Sequence, residues 1–214
     1  MYKVEVQIRG TTPLLQHRFS LEQLSTLMQG ATKRTGAPDY SLEWLGTMYV
    51  TQDGYLYQPA AQIEGALVAA GKLFKVKGQR SKTWKDAIRA YCYVVPDEIR
   101  HLRNGEPIHA PGAELLTTPR EGLAVDVRRV RVSQAAVARS RLMIAAGWEL
   151  AFTIEVHDAQ VPPDILKEIL AEAGRAVGIG DFRPRYGRFE VCSFAGGPEK
   201  VDSAAASDPP SPAS

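Results

Sequence analysis

The chain has 214 residues, 44% of them hydrophobic and 23% charged, and its 26 basic and 24 acidic residues leave a formal net charge of only +2. This length and composition allow a substantial buried core, which excludes disorder of the whole chain and favours one globular domain or two small ones. No run of about 18 apolar residues occurs and the first residues alternate in polarity, so we expect neither membrane insertion nor secretion.

The first 75 residues predict a strand, a helix, a loop, a hairpin and a second helix. In chain order the predicted segments are residues 2–10, 21–28 and 30–38, the paired strands 44–50 and 55–59, and the helix 62–74. The first strand alternates apolar and polar residues and stops at Gly10, and Ser20 is a typical helix N-cap. The dipeptide Asp53-Gly54 favours a tight turn between antiparallel strands.

The remainder of the chain predicts strands around one further helix. The predicted segments are a mobile basic loop over 72–89, strands over 90–95, 125–132 and 142–156, a helix from Pro162-Pro163 to Gly174, and a strand over 189–194. A slip of phase in 125–132 predicts a β-bulge, and the apolar run 142–156 predicts a central strand. We expect one α+β domain over residues 1–197 and a disordered tail rich in Pro, Ser and Ala over 198–214.

The near-neutral total charge hides three basic windows. Residues 72–89, 128–141 and 175–188 together hold 16 basic and 2 acidic residues, against 10 basic and 22 acidic residues elsewhere. Such windows repel one another unless acidic segments or a bound polyanion lie between them, although three separately solvated faces remain an alternative. The candidate nucleic-acid-binding cations are Lys72, Lys75, Lys77, Arg80, Lys82, Lys85, Arg128, Arg129, Arg131, Arg139, Arg141, Arg183, Arg185 and Arg188. Trp84, within the first window, is expected either to stack on a base or to anchor the loop to the core.

A glycine-rich element lies within the third window, between the predicted helix and the last strand. Gly178, Gly180 and Gly187 alternate there with arginines and with Phe182 and Tyr186. This order is the reverse of a dinucleotide-binding turn, which follows a strand and opens a helix. The glycines permit close approach of the backbone to an anion or to a neighbouring element. The aromatic rings are suited either to stacking on bases or to packing on the core.

The glycine-rich loop and terminal strand resemble the C-terminal signature of the repeat-associated mysterious protein (RAMP) superfamily, ferredoxin-like proteins that form the RNA-binding backbone of CRISPR effector complexes. The phrase from Gly10 to Ser20, together with the ending from Gly178 to Val191, also resembles uncharacterised phage and prophage proteins. The resemblance implies a ferredoxin-like (RRM-like) antiparallel sheet with helices on one face and basic loop or hairpin insertions. It also implies single-strand binding through the sheet, a basic hairpin and loops, with copies of the chain or other effector-complex subunits as partners.

Catalytic chemistry is not evident in the sequence. The four histidines lack metal-site spacing, and Cys92 and Cys192 form no CxxC pair, so we predict no metal, no cofactor and a reducing, cytoplasmic setting. His17 could act on a ribose 2′-hydroxyl, although no second acid or base is identifiable.

The leading hypothesis is a non-enzymatic protein that binds single-stranded RNA or DNA without sequence preference and assembles along the strand. One alternative is an endoribonuclease of the same fold that uses His17. The other is a structural or assembly protein without a nucleic-acid ligand.

Overall fold

A computed structural model of the chain describes residues 1–19, 43–118, 120–132, 135–158 and 160–198. Within the strands, only the backbone is described for residues 129–132 and 135–138. The predicted helix over 21–28, the predicted loop over 30–38 and the predicted tail from 199 onward lie outside the described residues, so these three expectations stay predictions.

The described residues form strands, three α-helices and several short helical turns. The strands are β1 (Tyr2–Gly10), β2 (Leu14–Leu15), β3 (Tyr57–Pro59), β4 (Cys92–Val95), β5 (Glu98–Arg100), β6 (Leu102–Arg103), β7 (Glu106–Pro107), β8 (Leu123–Val132), β9 (Ala135–Ile144), β10 (Glu149–Val156) and β11 (Phe189–Gly196). The α-helices are α1 (Ala60–Gly71), α2 (Lys85–Tyr91) and α3 (Pro163–Glu172). Short 3₁₀ turns cover Glu43–Thr47 and Ala113–Leu116, and a π-helical turn covers Ala173–Val177.

The main sheet has the ferredoxin-like topology. The elements β1, α1, β4, β10, α3 and β11 follow one another as β-α-β-β-α-β. The strand order is β11-β1-β10-β4 with every pairing antiparallel, and β6 and β7 continue the sheet beside the other end of β10. The predicted ferredoxin-like α+β fold with an antiparallel sheet is confirmed.

Both long helices cover one face of this sheet. Along β1, the residues from Tyr2 to Gly10 alternate strictly between buried and exposed, as the sequence predicted. The buried side chains of β1 and β10 form one hydrophobic core with Ile63 and Leu67 of α1 and with Leu166 and Ile169 of α3. The helices therefore leave the opposite face of the sheet open.

The open face of the sheet carries more acids than bases. Lys3 pairs with Glu155 at 2.6 Å, and Arg9 pairs with Glu149 at 3.4 Å, so two of its acids neutralise its two cations. Glu5 is exposed on the same face, and Glu190 lies beside Arg9 in the register of β11. An acidic surface repels phosphate groups. The basic residues of this chain are concentrated in its loops and in a hairpin, away from this face.

That hairpin is formed by β8 and β9, which together with β2 make a second, three-stranded sheet. Its register runs without a shift from Leu123↔Ile144 to Val132↔Ala135, so the predicted bulge is wrong. Val125 is only partly buried and Val127 is 64% exposed. Val125 thus packs against the core while Val127 lies in solvent, so the spacing of the valines did not predict the register.

The predicted single strand over 142–156 is also wrong, because the structure divides it between two sheets. Residues 142–144 end β9, and β10 begins at Glu149. Gly147, at φ +86°, forms the intervening turn and donates its N–H to Gly10 O at 2.8 Å. Leu142, Ile144 and Trp148 are all buried. The two strand ends and the turn between them therefore form one apolar run, in which Gly147 is the only glycine.

One expectation from the N-terminal half is modified and another is confirmed. The segment predicted as a strand from Trp44 begins as the 3₁₀ turn Glu43–Thr47, and only Val50 bridges to Leu56 across the hairpin. The Asp53-Gly54 turn is confirmed, with Gly54 at φ +87° donating its N–H to Thr51 O at 3.0 Å.

The first basic window contains an ordered small hairpin. After α1 ends at Gly71, the Trp84 N–H donates to Phe74 O at 3.0 Å and the Val76 N–H donates to Lys82 O at 2.9 Å. Phe74 and Trp84 are partly buried against the core, which favours the anchoring role for Trp84. The window then continues as α2, which was not predicted, and the strand predicted from residue 90 begins at Cys92.

Candidate nucleic-acid interface

The glycine-rich loop, residues 178–188, packs against the segment that follows β1. The Asp181 N–H donates to Leu15 O at 2.9 Å, and the Gly187 N–H donates to Pro13 O at 2.8 Å. The Arg188 N–H donates to the Thr12 hydroxyl at 2.9 Å. The two segments that carry the sequence resemblance are therefore direct neighbours, and each holds the other in place.

The glycines serve this close packing. Gly180 and Gly187 have φ of +79° and +71°. A Cβ at Gly180 would lie 2.7 Å from Leu15 O, and one at Gly187 would lie 1.7 Å from Ile179 O. The Gly180 N–H donates to the Gln62 side-chain oxygen at 3.0 Å, so both glycine amides contact protein acceptors. Of the two roles left open by the sequence, the structure shows approach to a neighbouring element.

Arg128, in β8, joins the second basic window to the third. Its Nε lies 2.7 Å from the Asp126 carboxylate, which raises the pKa of Arg128. Its Nη2 contacts the Tyr186 hydroxyl, and its Cζ lies 4.7 Å from the centre of the Tyr186 ring. A guanidinium over an aromatic face is attracted by the quadrupole of the ring. Both the ring and the hydroxyl of Tyr186 thus contact Arg128.

Arg141, in β9, makes the second connection. It is 6% exposed, and its Nε lies 2.6 Å from Asp181 Oδ2. The Cζ atoms of Arg141 and Arg128 lie 5.5 and 5.4 Å from the centre of the Phe182 ring. Two cations that carboxylates hold in place therefore lie near the Phe182 ring.

Three arginines of the loop point into solvent. Arg183, Arg185 and Arg188 are exposed, and none of their side chains has a hydrogen bond or ion pair with another described residue. Phe182, beside them, is 40% exposed at φ +56°. Positive φ is unusual for a bulky residue, and such strained positions concentrate at functional sites.

The first basic window lies away from this cluster. Helix α1 begins beside the glycine-rich loop, where Gln62 contacts Gly180, and its 12 residues extend about 18 Å before the basic hairpin starts. The side chains of Lys72, Lys75, Lys77, Arg80 and Lys82 are exposed, and Lys85 is half-buried. The structure thus brings the second and third windows together and leaves the first apart. Arg129 and Arg131 are placed on β8 by their backbone alone.

Comparison with known proteins supports the fold. No protein-family model and no curated protein matches the sequence. Among solved structures, the chain is similar to one in the cryo-EM structure of the Type III-B Cmr-beta bound to cognate target RNA, with a TM-score of 0.55 and 13% identity. The match covers 91% of this chain and 60% of that chain, so this protein spans less than two thirds of its structural neighbour. At this identity, the similarity shows a shared fold.

His17 belongs to the same cluster as the loop. It is half-buried, and burial, followed by the Arg141 cation, lowers its pKa below the ordinary value, while Asp181 and Glu43 act in the opposite direction. Arg139, another predicted site residue, contacts Glu43. The surroundings of His17 therefore favour its neutral form. The structure supplies acidic neighbours that the sequence did not reveal, because they lie 26 and 164 residues away along the chain.

Two glutamines, the buried Gln16 and the half-buried Gln62, form a further part of the site that the sequence did not indicate. Gln16, 1% exposed, donates from Nε2 to Tyr57 O at 2.9 Å and accepts from the Tyr49 N–H at 3.0 Å. Gln62 links Gly180 to α1. An isolated glutamine carries no local pattern, so only its distant partners reveal its role.

No described helix is long and apolar enough to span a membrane. Within the described ranges, no cluster of three or more histidine, cysteine or carboxylate side chains is arranged to hold a metal ion.

Proposed function

We propose that this protein binds single-stranded nucleic acid, RNA or DNA, without sequence preference, through an arginine face. This face consists of Arg183, Arg185 and Arg188 on the glycine-rich loop, with Phe182 and Arg128 beside them. The observation that carries the proposal is the exposure of three arginines that have no acidic partner among the described residues, on a loop anchored to the end of β1. Exposed cations on an anchored loop neutralise phosphates without contacting base edges, so binding depends on salt and little on sequence.

The similarity to RAMP proteins supports RNA as the ligand and a multisubunit setting. The structural neighbour, by its title, is bound to cognate target RNA. We propose that copies of this chain or other effector-complex subunits are its partners, and that the lysine-rich first window adds phosphate contacts on longer strands. A phage origin stays a prediction.

The arginine face can be tested by removing its charges together. In the variant Arg183→Gln/Arg185→Gln/Arg188→Gln, we expect affinity for a 20-nucleotide single strand to fall on the order of 100-fold at about 0.1 M salt. The slope of log affinity against log salt should become shallower by about 2, since each lost contact on a single strand contributes about 0.7. Fluorescence anisotropy titrations with RNA and DNA across a salt series measure both quantities.

The matched control removes three cations that already pair with carboxylates. Arg9→Gln/Arg100→Gln/Arg175→Gln changes the net charge equally, since these arginines pair with Glu149, Asp53 and Glu172. It should bind nearly as the wild type does. Equal losses in both variants would mean that net charge alone acts. A wild-type protein that binds neither RNA nor DNA, yet forms oligomers, would favour the structural or assembly alternative.

The position of His17 favours a second candidate, an endoribonuclease. A general base must be neutral at working pH, and the surroundings of His17 lower its pKa. If the chain cleaves RNA, we expect His17→Ala to reduce the rate at least 100-fold while leaving strand binding intact. The acidic limb of the wild-type pH–rate profile should lie below pH 6.5, because the histidine keeps its neutral form there. Cleavage by His17→Ala at the wild-type rate would remove this role.

A further inference from the structure

We propose that Phe182 is a platform on which one base of the bound strand stacks, and that Tyr186 is not such a platform. This inference rests on the proposed function and makes it more specific, since it assigns a nucleobase subsite within the arginine face.

The exposure of the two rings separates their roles. Phe182 is 40% exposed, whereas Tyr186 is half-buried, with Arg128 over its ring and at its hydroxyl. The guanidinium carbons nearest Phe182 lie 5.4 and 5.5 Å from its ring centre. The guanidinium carbon of Arg128 lies closer to the ring centre of Tyr186, at 4.7 Å. Ring surface on Phe182 is therefore left open, while Tyr186 is occupied.

The backbone at Phe182 is held in its unusual conformation by Asp181. The Phe182 N–H donates to Asp181 Oδ1 at 2.9 Å, and the other carboxylate oxygen of Asp181 lies 2.6 Å from Arg141 Nε. The Asp181 N–H in turn donates to Leu15 O. Three contacts thus keep an exposed phenylalanine at φ +56°, a strained backbone conformation for a bulky residue. A ring required only for packing would be buried and relaxed.

The surroundings of the ring fit a nucleotide unit. Cations held by Asp126 and Asp181 lie near it, and three exposed arginines without an ion pair to any described residue follow within six residues. A ligand that uses all of these groups carries a flat ring and regularly spaced negative charges, as single-stranded nucleic acid does. An acidic peptide or polyphosphate would use the cations and leave the ring without a partner.

The test separates base stacking from phosphate binding. Phe182→Leu should weaken binding of a 10-nucleotide single strand by about 5- to 150-fold, the range found for loss of one stacked base, with the salt slope unchanged. Phe182→Trp should restore affinity, because every base stacks on an indole. A strand that carries 2-aminopurine should lose its fluorescence on binding the wild type and Phe182→Trp, and keep it with Phe182→Leu.

Two controls make the outcome decisive. Tyr91→Leu removes an aromatic side chain of matched exposure, 39%, at the end of α2, and should bind as the wild type does. Affinity for inorganic polyphosphate should be the same for Phe182→Leu and the wild type. If Phe182→Leu weakens polyphosphate binding equally, or binds the strand as tightly as the wild type, the platform role is overturned. If the wild-type protein binds no strand at all, the proposed function itself fails.

Discussion

Replacing Gly187 with alanine should lower the free energy of unfolding by about 3 kcal/mol or more. The added Cβ would lie 1.7 Å from the Ile179 carbonyl oxygen, and φ at this position is +71°. The backbone cannot move aside cheaply, because Gly187 accepts from the Ile179 N–H at 2.9 Å and donates to Pro13 O at 2.8 Å. Overpacking and an unfavourable φ each cost on the order of 1–3 kcal/mol. Urea denaturation followed by tryptophan fluorescence measures the loss.

Gly54→Ala is the matched control for this variant. Gly54 also has a positive φ, +87°, but an added Cβ there meets no atom within 4 Å. Its cost should be about 1 kcal/mol, from backbone conformation alone. Near-equal stability of the two variants would contradict the close packing of the glycine-rich loop. Strand binding should fall in Gly187→Ala and persist in Gly54→Ala, because only the former distorts the arginine face.

Acid should destabilise this protein through a single buried histidine. His101 is fully buried, with its ring 6.1 Å from that of Trp148, and neither ring nitrogen has a hydrogen-bond partner among the described residues. Burial lowers the pKa of His101 to about 3. His101 therefore binds a proton near pH 6.5 in the unfolded chain, whereas in the folded protein it stays neutral at that pH. Stability is unaffected above that pH and is lost as the pH falls from 6.5 toward 3, by about 3 kcal/mol between pH 7 and pH 4.

The variants His101→Leu and His101→Met remove this proton linkage. We expect the wild-type free energy of unfolding to fall more steeply with acid than that of either variant, by about 1.4 kcal/mol per pH unit below pH 6. Carboxylate titrations affect all three proteins alike, so the difference isolates His101. His109→Leu, at an exposed position, should retain the wild-type steepness. Parallel pH profiles for the wild type and both His101 variants would refute the assignment.

Local patterns predicted most of the elements but not all of their boundaries. The alternation in β1, the proline start of α3 and the Asp53-Gly54 turn are signals contained within a few residues, and the structure confirms each of them. The prediction of one strand over 142–156 was wrong because the two strands and the turn between them are all apolar. The predicted bulge was wrong because the apolar spacing in β8 does not follow burial: Val125 packs against the core, but Val127 is exposed.

The candidate site was only partly visible in the sequence. The charge windows and the glycine-rich loop were visible as composition, yet nothing local indicated that the first window lies apart from the other two. Nor did composition show that the Tyr186 side chain contacts Arg128, which is 58 residues away in the chain.

The sequence by itself determined the α+β class, the existence of the basic windows and the helix–glycine loop–strand ending, because periodicity, composition and glycine placement act over short distances. Only the tertiary structure decided that Arg128 and Arg141 meet Phe182, that Asp181 pairs with Arg141, and that the sheet face is acidic. These contacts join segments far apart in the chain, and they form only when strand pairing and core burial fix where each segment lies. The site is therefore a consequence of the fold, and the charges in the sequence acquire their roles from it.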